Sequence, residues 1–232
     1  MIELYSNDNL KIITGTENKN LFRIEFNYPA PLLINSLIKT KIIRGATCSD
    51  NYKILIFKAY SVKMFDDYKY RSIYSVANMV DTLTTQLKYM IEVDCCAFLG
   101  YNTKNIIVID DKKFVFLDCD LIKEINEDKI MITTKFNKTD FFFSPELENI
   151  NNLPTNIHYK TSYFSLGYLL LYMLLKEETA ISLYKEYLSL KNFDYNILNK
   201  YLNTISFKNT KLTFLISRCL VEEPEKRSIL FI

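Results

Sequence analysis

Asn105-Ile106-Ile107-Val108-Ile109-Asp110-Asp111-Lys112-Lys113-Phe114-Val115-Phe116-Leu117-Asp118 reads as two short β-rich runs joined by a polar link, with an oxygen-bearing side chain at either end. Residues 106–109 and 114–117 carry only β-branched, aromatic or leucine side chains, the types that fit a pleated surface. The link, residues 110–113, is polar and short, so the spacing predicts a hairpin. Asp118 follows Asn105 by thirteen positions. Asn and Asp at such positions commonly cap turns and bond local backbone.

Working outward, Val76, Met79, Val80, Leu83, Leu87, Met90 and Ile91 recur at three- and four-residue steps, which predicts an amphipathic helix from residue 75 onward. The first 60 residues hold short apolar runs at 10–13, 21–26, 41–43 and 52–57 that read as strands. Between them, Pro29 and Pro31 precede Leu32, Leu33, Ile34, Leu37 and Ile38, which suits a short helix with proline in its first turn. Beyond the hairpin, residues 119–144 show no sustained period and read as an extended loop. Within it, Phe136, Phe141, Phe142 and Phe143 are either core or, if exposed, a docking surface. Residues 159–232 alternate helical patterns with polar links. The class is α+β: a β-rich start, a long helix, a hairpin, a loop and a mainly helical end.

With 232 residues, 49% of them hydrophobic, the chain has material for one large core or two small lobes. Lys and Arg total 29 against 27 Asp and Glu, so charge predicts neither a nucleic-acid nor an acidic-membrane partner. The five cysteines, Cys48, Cys95, Cys96, Cys119 and Cys219, form no C-x-x-C pair, and the N-terminus does not read as a signal peptide. A reducing, cytoplasmic setting is expected. The longest apolar run, residues 163–175, falls short of the roughly 20 residues that cross a bilayer, so no membrane span is expected. One histidine, His158, argues against a His-rich zinc enzyme and gives little to a Ser-His-Asp hydrolase.

Three stretches, in order, resemble the landmarks of protein kinases. Phe98-Leu99-Gly100-Tyr101-Asn102-Thr103-Lys104-Asn105 lines up with the catalytic loop H-R-D-x-x-x-x-N, with Asn105 at the magnesium-binding asparagine and Gly100 where the family has its aspartate base. Asp118-Cys119-Asp120 lines up with Asp-Phe-Gly and keeps only the aspartate. Ser144-Pro145-Glu146 resembles Ala-Pro-Glu, Ser162-Tyr163-Phe164-Ser165-Leu166-Gly167 resembles Asp-x-Trp-Ser-Leu-Gly, and Glu223-Pro224-Glu225-Lys226-Arg227 resembles Asp-Pro-x-x-Arg. The resemblance implies a two-lobed protein-kinase-like fold, with residues 1–60 a reduced β-rich N-terminal lobe and 61–232 a mainly helical C-terminal lobe. It also implies a structural ion pair between Glu146 and Arg227. Against the pattern, no G-x-G-x-x-G occurs, the run 21–26 offers Arg23 and Glu25 but no lysine, and no Glu lies between residues 26 and 91. Lys58 is spaced for the hinge strand.

With Gly100 in place of the base, the resemblance implies a pseudokinase: a protein-binding or allosteric module whose partner is an active kinase or a kinase substrate. It implies no catalytic residue and no resident cofactor beyond weakly held Mg-ATP at Asn105 and Asp118. The competing expectation is a divergent Ser/Thr kinase that recruits Asp94, Asp120 or Asp140 as a substitute base. A lipid or small-molecule kinase is a poorer match. Stripped kinase-like proteins are often encoded by large DNA viruses, which the composition, rich in Asn and Ile, suits; the location would then be host cytoplasm.

Overall fold

The computed structural model describes residues 1–69, 72–135, 142–175, 182 and 210–229. The fold is mixed α+β, with the strands concentrated early and the helices later. It divides into two compact units that do not follow chain order: Met1–Lys69 with Asn78–Cys95 and Thr103–Asp120, and Tyr70–Ala77 with Cys96–Asn102 and Leu121–Ile232.

In the first unit, β1 (Ile2–Ser6), β2 (Leu10–Thr14), β3 (Leu21–Phe26), β4 (Thr47–Cys48) and β5 (Ile54–Lys58) form one antiparallel sheet in the order β1-β2-β3-β5-β4. Cross-strand partners share a face, and the register sets Leu10 opposite Phe26, Ile12 opposite Ile24, and Ile24 opposite Leu55. All of these side chains are buried, while Lys11, Arg23 and Glu25 take the other face. The two-residue alternation of side chains along a strand therefore decides which groups reach the core. Helix α1 (Pro31–Lys39) begins with proline, whose missing N–H costs nothing in a first turn, and buries Leu33, Ile34 and Leu37.

The hairpin is β8 (Ile106–Ile109) and β9 (Lys113–Phe116), extended on the other side by β6 (Val62–Met64). Asp110 and Asp111 turn it with φ of 55° and 54°, and the Lys112 N–H bonds the Ile109 carbonyl, the left-handed pattern that matches strand twist. Asp110 is also occupied by its Oδ1, which accepts from the Tyr60 and Ser61 amides at 2.6 and 3.0 Å.

Among the described residues no strand pairs with the outer edge of β9. Helix α2 (Ile73–Glu92) supplies what a strand would: Thr82 Oγ1 accepts from the Phe114 N–H at 3.1 Å. One turn on, Gln86 accepts from the Phe116 N–H and donates to the Phe116 carbonyl, both at 3.1 Å. Residues four apart on a helix lie on one face, and residues two apart on a strand point their amides the same way, so the two periods coincide here. Val76, Met79, Val80, Leu83, Leu87 and Met90 are buried along the same helix.

In the second unit, β7 (Cys96–Phe98) pairs antiparallel with β10 (Ile122–Glu124), and β11 (Lys129–Ile132) with β12 (Thr155–His158). A short helix α3 (Pro145–Glu148) precedes α4 (Thr161–Leu174), which is buried along residues 161–173. Helix α5 (Lys211–Cys219) starts with a reciprocal cap between Thr210 and Thr213. Gly167 lets α4 and the end of α5 approach: a Cβ there would lie 2.6 Å from Cys219 Cβ and 3.1 Å from Leu220 Cγ.

Two expectations are corrected. Residues 41–43 are a turn, not a strand: Lys41 adopts φ 57° and the Ile43 N–H returns to the Leu37 carbonyl, closing α1, with the strand following at β4. The stretch 119–144 is not one loop, because β10 and β11 lie within it. Their partners lie more than 20 residues away, upstream for β10 (Lys123 opposite Ala97) and downstream for β11 (Ile130 opposite Ile157), a pairing that local periodicity does not carry. Strands β1, β4, β6, β7 and β12 were also unread: the last four are two to four residues long, and β1 buries none of its five.

Candidate functional site

In the first unit a cleft of about 280 Å³, counted with its open solvent, lies between the β1–β2 turn and the ends of the hairpin. Tyr5, Asn7, Asn9 and Leu10 line one side, Lys104, Asn105, Leu117 and Asp118 the other, and Met64 completes it. Asn105 ends a 3-10 turn and Asp118 follows β9; the Leu117 N–H to Asn105 carbonyl bond, 2.9 Å, ties the two ends together. The hairpin thus delivers both oxygen-bearing side chains to one place. Asn105 is buried, whereas Asp118 is half-buried.

Asp118 Oδ1 accepts from the Asp120 N–H at 3.0 Å, so this carboxylate caps its own turn. Asp120 in turn accepts from Asn9 Nδ2 at 3.3 Å. Burial first, then the neighbouring Asp118 and Asp120 carboxylates, push the Cys119 thiol up to about 12, which keeps it neutral and a poor nucleophile or metal ligand. Sequence reading missed the Asn7-Asp8-Asn9 turn. Asn7 Oδ1 accepts from the Asn9 and Leu10 amides at 2.9 and 2.8 Å, so these two N–H groups are consumed within the turn rather than presented to an anion. The signal was available in Asn7 followed two residues later by Asn9, the pattern of a side-chain-closed turn.

Strand β3 sends Phe22, Ile24 and Phe26 to the buried face that carries Leu10. Arg23 and Glu25 lie on the opposite face and pair with each other at 2.7 Å. Helix α1 carries no acidic residue.

Gly100 is buried in the second unit. A Cβ built on it would lie 2.6 and 2.7 Å from Phe143 Cδ1 and Cε1, and 3.3 Å from Ser165 Oγ. Its neighbour Tyr101 donates its N–H to Ser165 Oγ at 2.7 Å and accepts at its carbonyl from the Phe142 N–H at 3.0 Å. Phe142 and Phe143 are core residues, Phe142 lying 5.4 Å from the rings of Tyr168 and Tyr172. Phe136 and Phe141 lie outside the described residues.

Glu146 and Arg227, 81 positions apart, meet in the second unit. Arg227 Nη2 donates to Glu146 Oε2 at 3.0 Å and Nη1 to Oε1. The guanidinium is fully buried, and its other donors go to the carbonyls of Val221 at 2.8 Å and Glu222 at 3.0 Å. It also lies over the Phe164 ring, 5.1 Å from the centroid. A planar fork satisfied on every side suits a structural tie rather than a ligand clamp.

Of the three substitute carboxylates, Asp120 neighbours Asp118, Asp140 lies outside the described residues, and Asp94 is absent from the cleft lining. Burial raises the Asp94 carboxyl above its usual range. Among the described residues no three His, Cys, Asp or Glu side chains gather as a metal site. Asn105 and Asp118 each carry an oxygen donor of the hard kind that magnesium takes. No helix among the described residues is long and apolar enough to cross a membrane. The chain matches no protein-family model and no curated protein.

Proposed function

We propose that this chain is a degenerate protein-kinase-like protein, a pseudokinase that acts by binding another protein rather than by transferring phosphate. Phosphoryl transfer in that family rests on a glycine loop, a β3 lysine paired with a glutamate of the next helix, two metal-holding residues and a base, acting together. One observation carries the reading: the metal-holding types, Asn105 and Asp118, share a cleft, while the β3 side chains on the face of Leu10 are Phe22, Ile24 and Phe26. The lysine that does line the cleft, Lys104, belongs to the turn before β8 and not to β3, so the family's strand-borne lysine is not reproduced at its own position. The turn bordering the cleft is closed by Asn7 and contains no glycine, so a phosphate lid is missing as well. Gly100 removes the base, a loss typically worth ~10²–10⁴ in rate. What persists, the Glu146–Arg227 tie and the buried α4, is framework.

The partner is accordingly a protein, an active kinase or a kinase substrate, with Mg-ATP bound weakly if at all. An ATP-consumption assay with generic protein acceptors, run beside Asp118→Asn, tests the enzymatic half. No turnover is expected; turnover abolished by Asp118→Asn overturns the reading in favour of a divergent kinase. Affinity purification from the native source tests the other half, and recovery of no stoichiometric protein partner counts against it.

A further inference from the structure

We infer that the turn after α1 and the β8–β9 turn together form an anion site in the first unit, with Arg44 and Lys113 as its two cations and a phosphoryl group as its ligand. Lys113 opens β9, and its Nζ donates to the Ile42 carbonyl at 2.5 Å, which brings the hairpin's ammonium onto the turn that carries Arg44 two residues further on. Lys41 and Lys112 stand exposed on the same two turns. Among the described residues no carboxylate pairs with Arg44, Lys41 or Lys112. The two acids of the hairpin turn are engaged elsewhere: Asp110 Oδ1 takes the Tyr60 and Ser61 amides, and Asp111 pairs with Lys63 at 2.9 Å. Room is present as well. Gly45, next to Arg44, has a φ of 67°, and a Cβ built there would meet no atom within 4 Å, so the turn is open on that side.

Like charges repel, so a fold that holds two cations together without a counter-charge is strained in a way that an anion relieves. Burial first, and then Arg44, hold the Lys113 ammonium below its usual range, and Asp110 offsets only part of this. The ligand chemistry follows from the pair. A carboxylate carries one charge, whereas a phosphoryl group carries close to two at neutral pH and offers three oxygens, enough to meet a guanidinium fork and an ammonium at once. The inference rests on the proposed function only for the source of that group, a phosphorylated side chain of the protein partner, as a kinase substrate would carry.

The test titrates the whole chain with inorganic phosphate at constant ionic strength, followed by phosphorus NMR. Saturable binding is expected, weakened about tenfold or more by Arg44→Gln and by Lys113→Gln, because each removes one charge-assisted contact. Lys129→Gln, which takes one exposed charge from the second unit, should leave it unchanged. No saturation, or equal weakening by all three, overturns the site. Arg44 is exposed and unpaired, so Arg44→Gln keeps the fold even if Lys113→Gln, which alters the bond to Ile42, does not. The source is read separately, by fluorescence anisotropy of a labelled peptide with one phosphoserine between glycines, beside its serine counterpart. Binding of the phosphorylated peptide alone, competed by phosphate and weakened by Arg44→Gln, is expected. Phosphate that binds while this peptide does not leaves a site for the free anion only and overturns the source. Neither arm contains nucleotide or the native partner, so either can fail while the ATP assay and the affinity purification leave the pseudokinase reading intact, and the reverse.

Discussion

Replacing Gln86 by leucine removes the one side chain that satisfies both backbone groups of Phe116. Gln86 is fully buried, accepts from the Phe116 N–H, donates to the Phe116 carbonyl and lies 3.3 Å from Ser36 Oγ. Leucine is close in volume and opens little cavity, so the cost falls on two buried backbone groups left without a partner, about 1–3 kcal/mol each. Leucine's own burial offsets part of that, leaving a net loss of about 2–4 kcal/mol. For a protein stabilised by roughly 5–15 kcal/mol this is readily measured by guanidinium unfolding followed by far-UV circular dichroism. Gln86→Glu sharpens the test. An ionised glutamate can accept from the Phe116 N–H but cannot donate to its carbonyl, whereas a protonated one does both. Burial and the lost donor raise its carboxyl in the folded state above the unfolded value. The folded state then binds more protons, so the deficit of Gln86→Glu relative to wild type shrinks as pH falls and is largest above the raised value. A leucine variant costing less than about 1 kcal/mol, together with a glutamate variant whose deficit ignores pH, would refute the view that α2 serves as the missing strand beside β9.

Arg227→Met leaves Glu146 and the Val221 and Glu222 carbonyls unmatched, and is expected to destabilise by about 3–5 kcal/mol in the same unfolding assay. In the native protein a thiol reagent should label the exposed Cys48 and Cys95 quickly and Cys119 and Cys219 slowly, since burial pushes the last two up to about 12; mass spectrometry of labelled peptides after short exposure reads the order. Burial, then Lys160, holds the His158 imidazole below its usual value, so the unfolded chain takes up the proton first. Stability should therefore be intact above about pH 6.5 and fall as pH drops through that value, and His158→Asn should flatten this part of the profile in urea titrations at several pH values.

How much of this was legible in the sequence follows from the range of each interaction. The α2 stripe and the β8–β9 hairpin were readable because their patterns are local: a helical period, and two unbroken apolar runs around an acidic turn. Asn105 and Asp118 were named through their resemblance to two kinase landmarks thirteen positions apart, and both line one cleft because the hairpin between them returns the chain to its start. The β7–β10 pair was not readable. Three residues in β7, all buried, have no alternation to display, and their partner strand is set by tertiary contact. The turn at 41–43 misled for a related reason: Ile42 and Ile43 are buried, as strand residues would be, but they are buried by a left-handed step at Lys41.

Position 100 illustrates what spacing leaves out. A glycine where a carboxylate is expected reads, in sequence, as one missing atom group, and a missing group invites the thought that another aspartate could stand in for it. Geometry adds a second participant, because Phe143 closes on the glycine from 43 positions away. A substitute carboxylate would need a route to that point as well as a suitable pKa, and a ring held by backbone bonds on one side and a buried hydroxyl pair on the other leaves none without moving the segment. Gly100 and Phe143 are thus one packing unit read from two ends of the chain, and position 100 read alone shows only half of it.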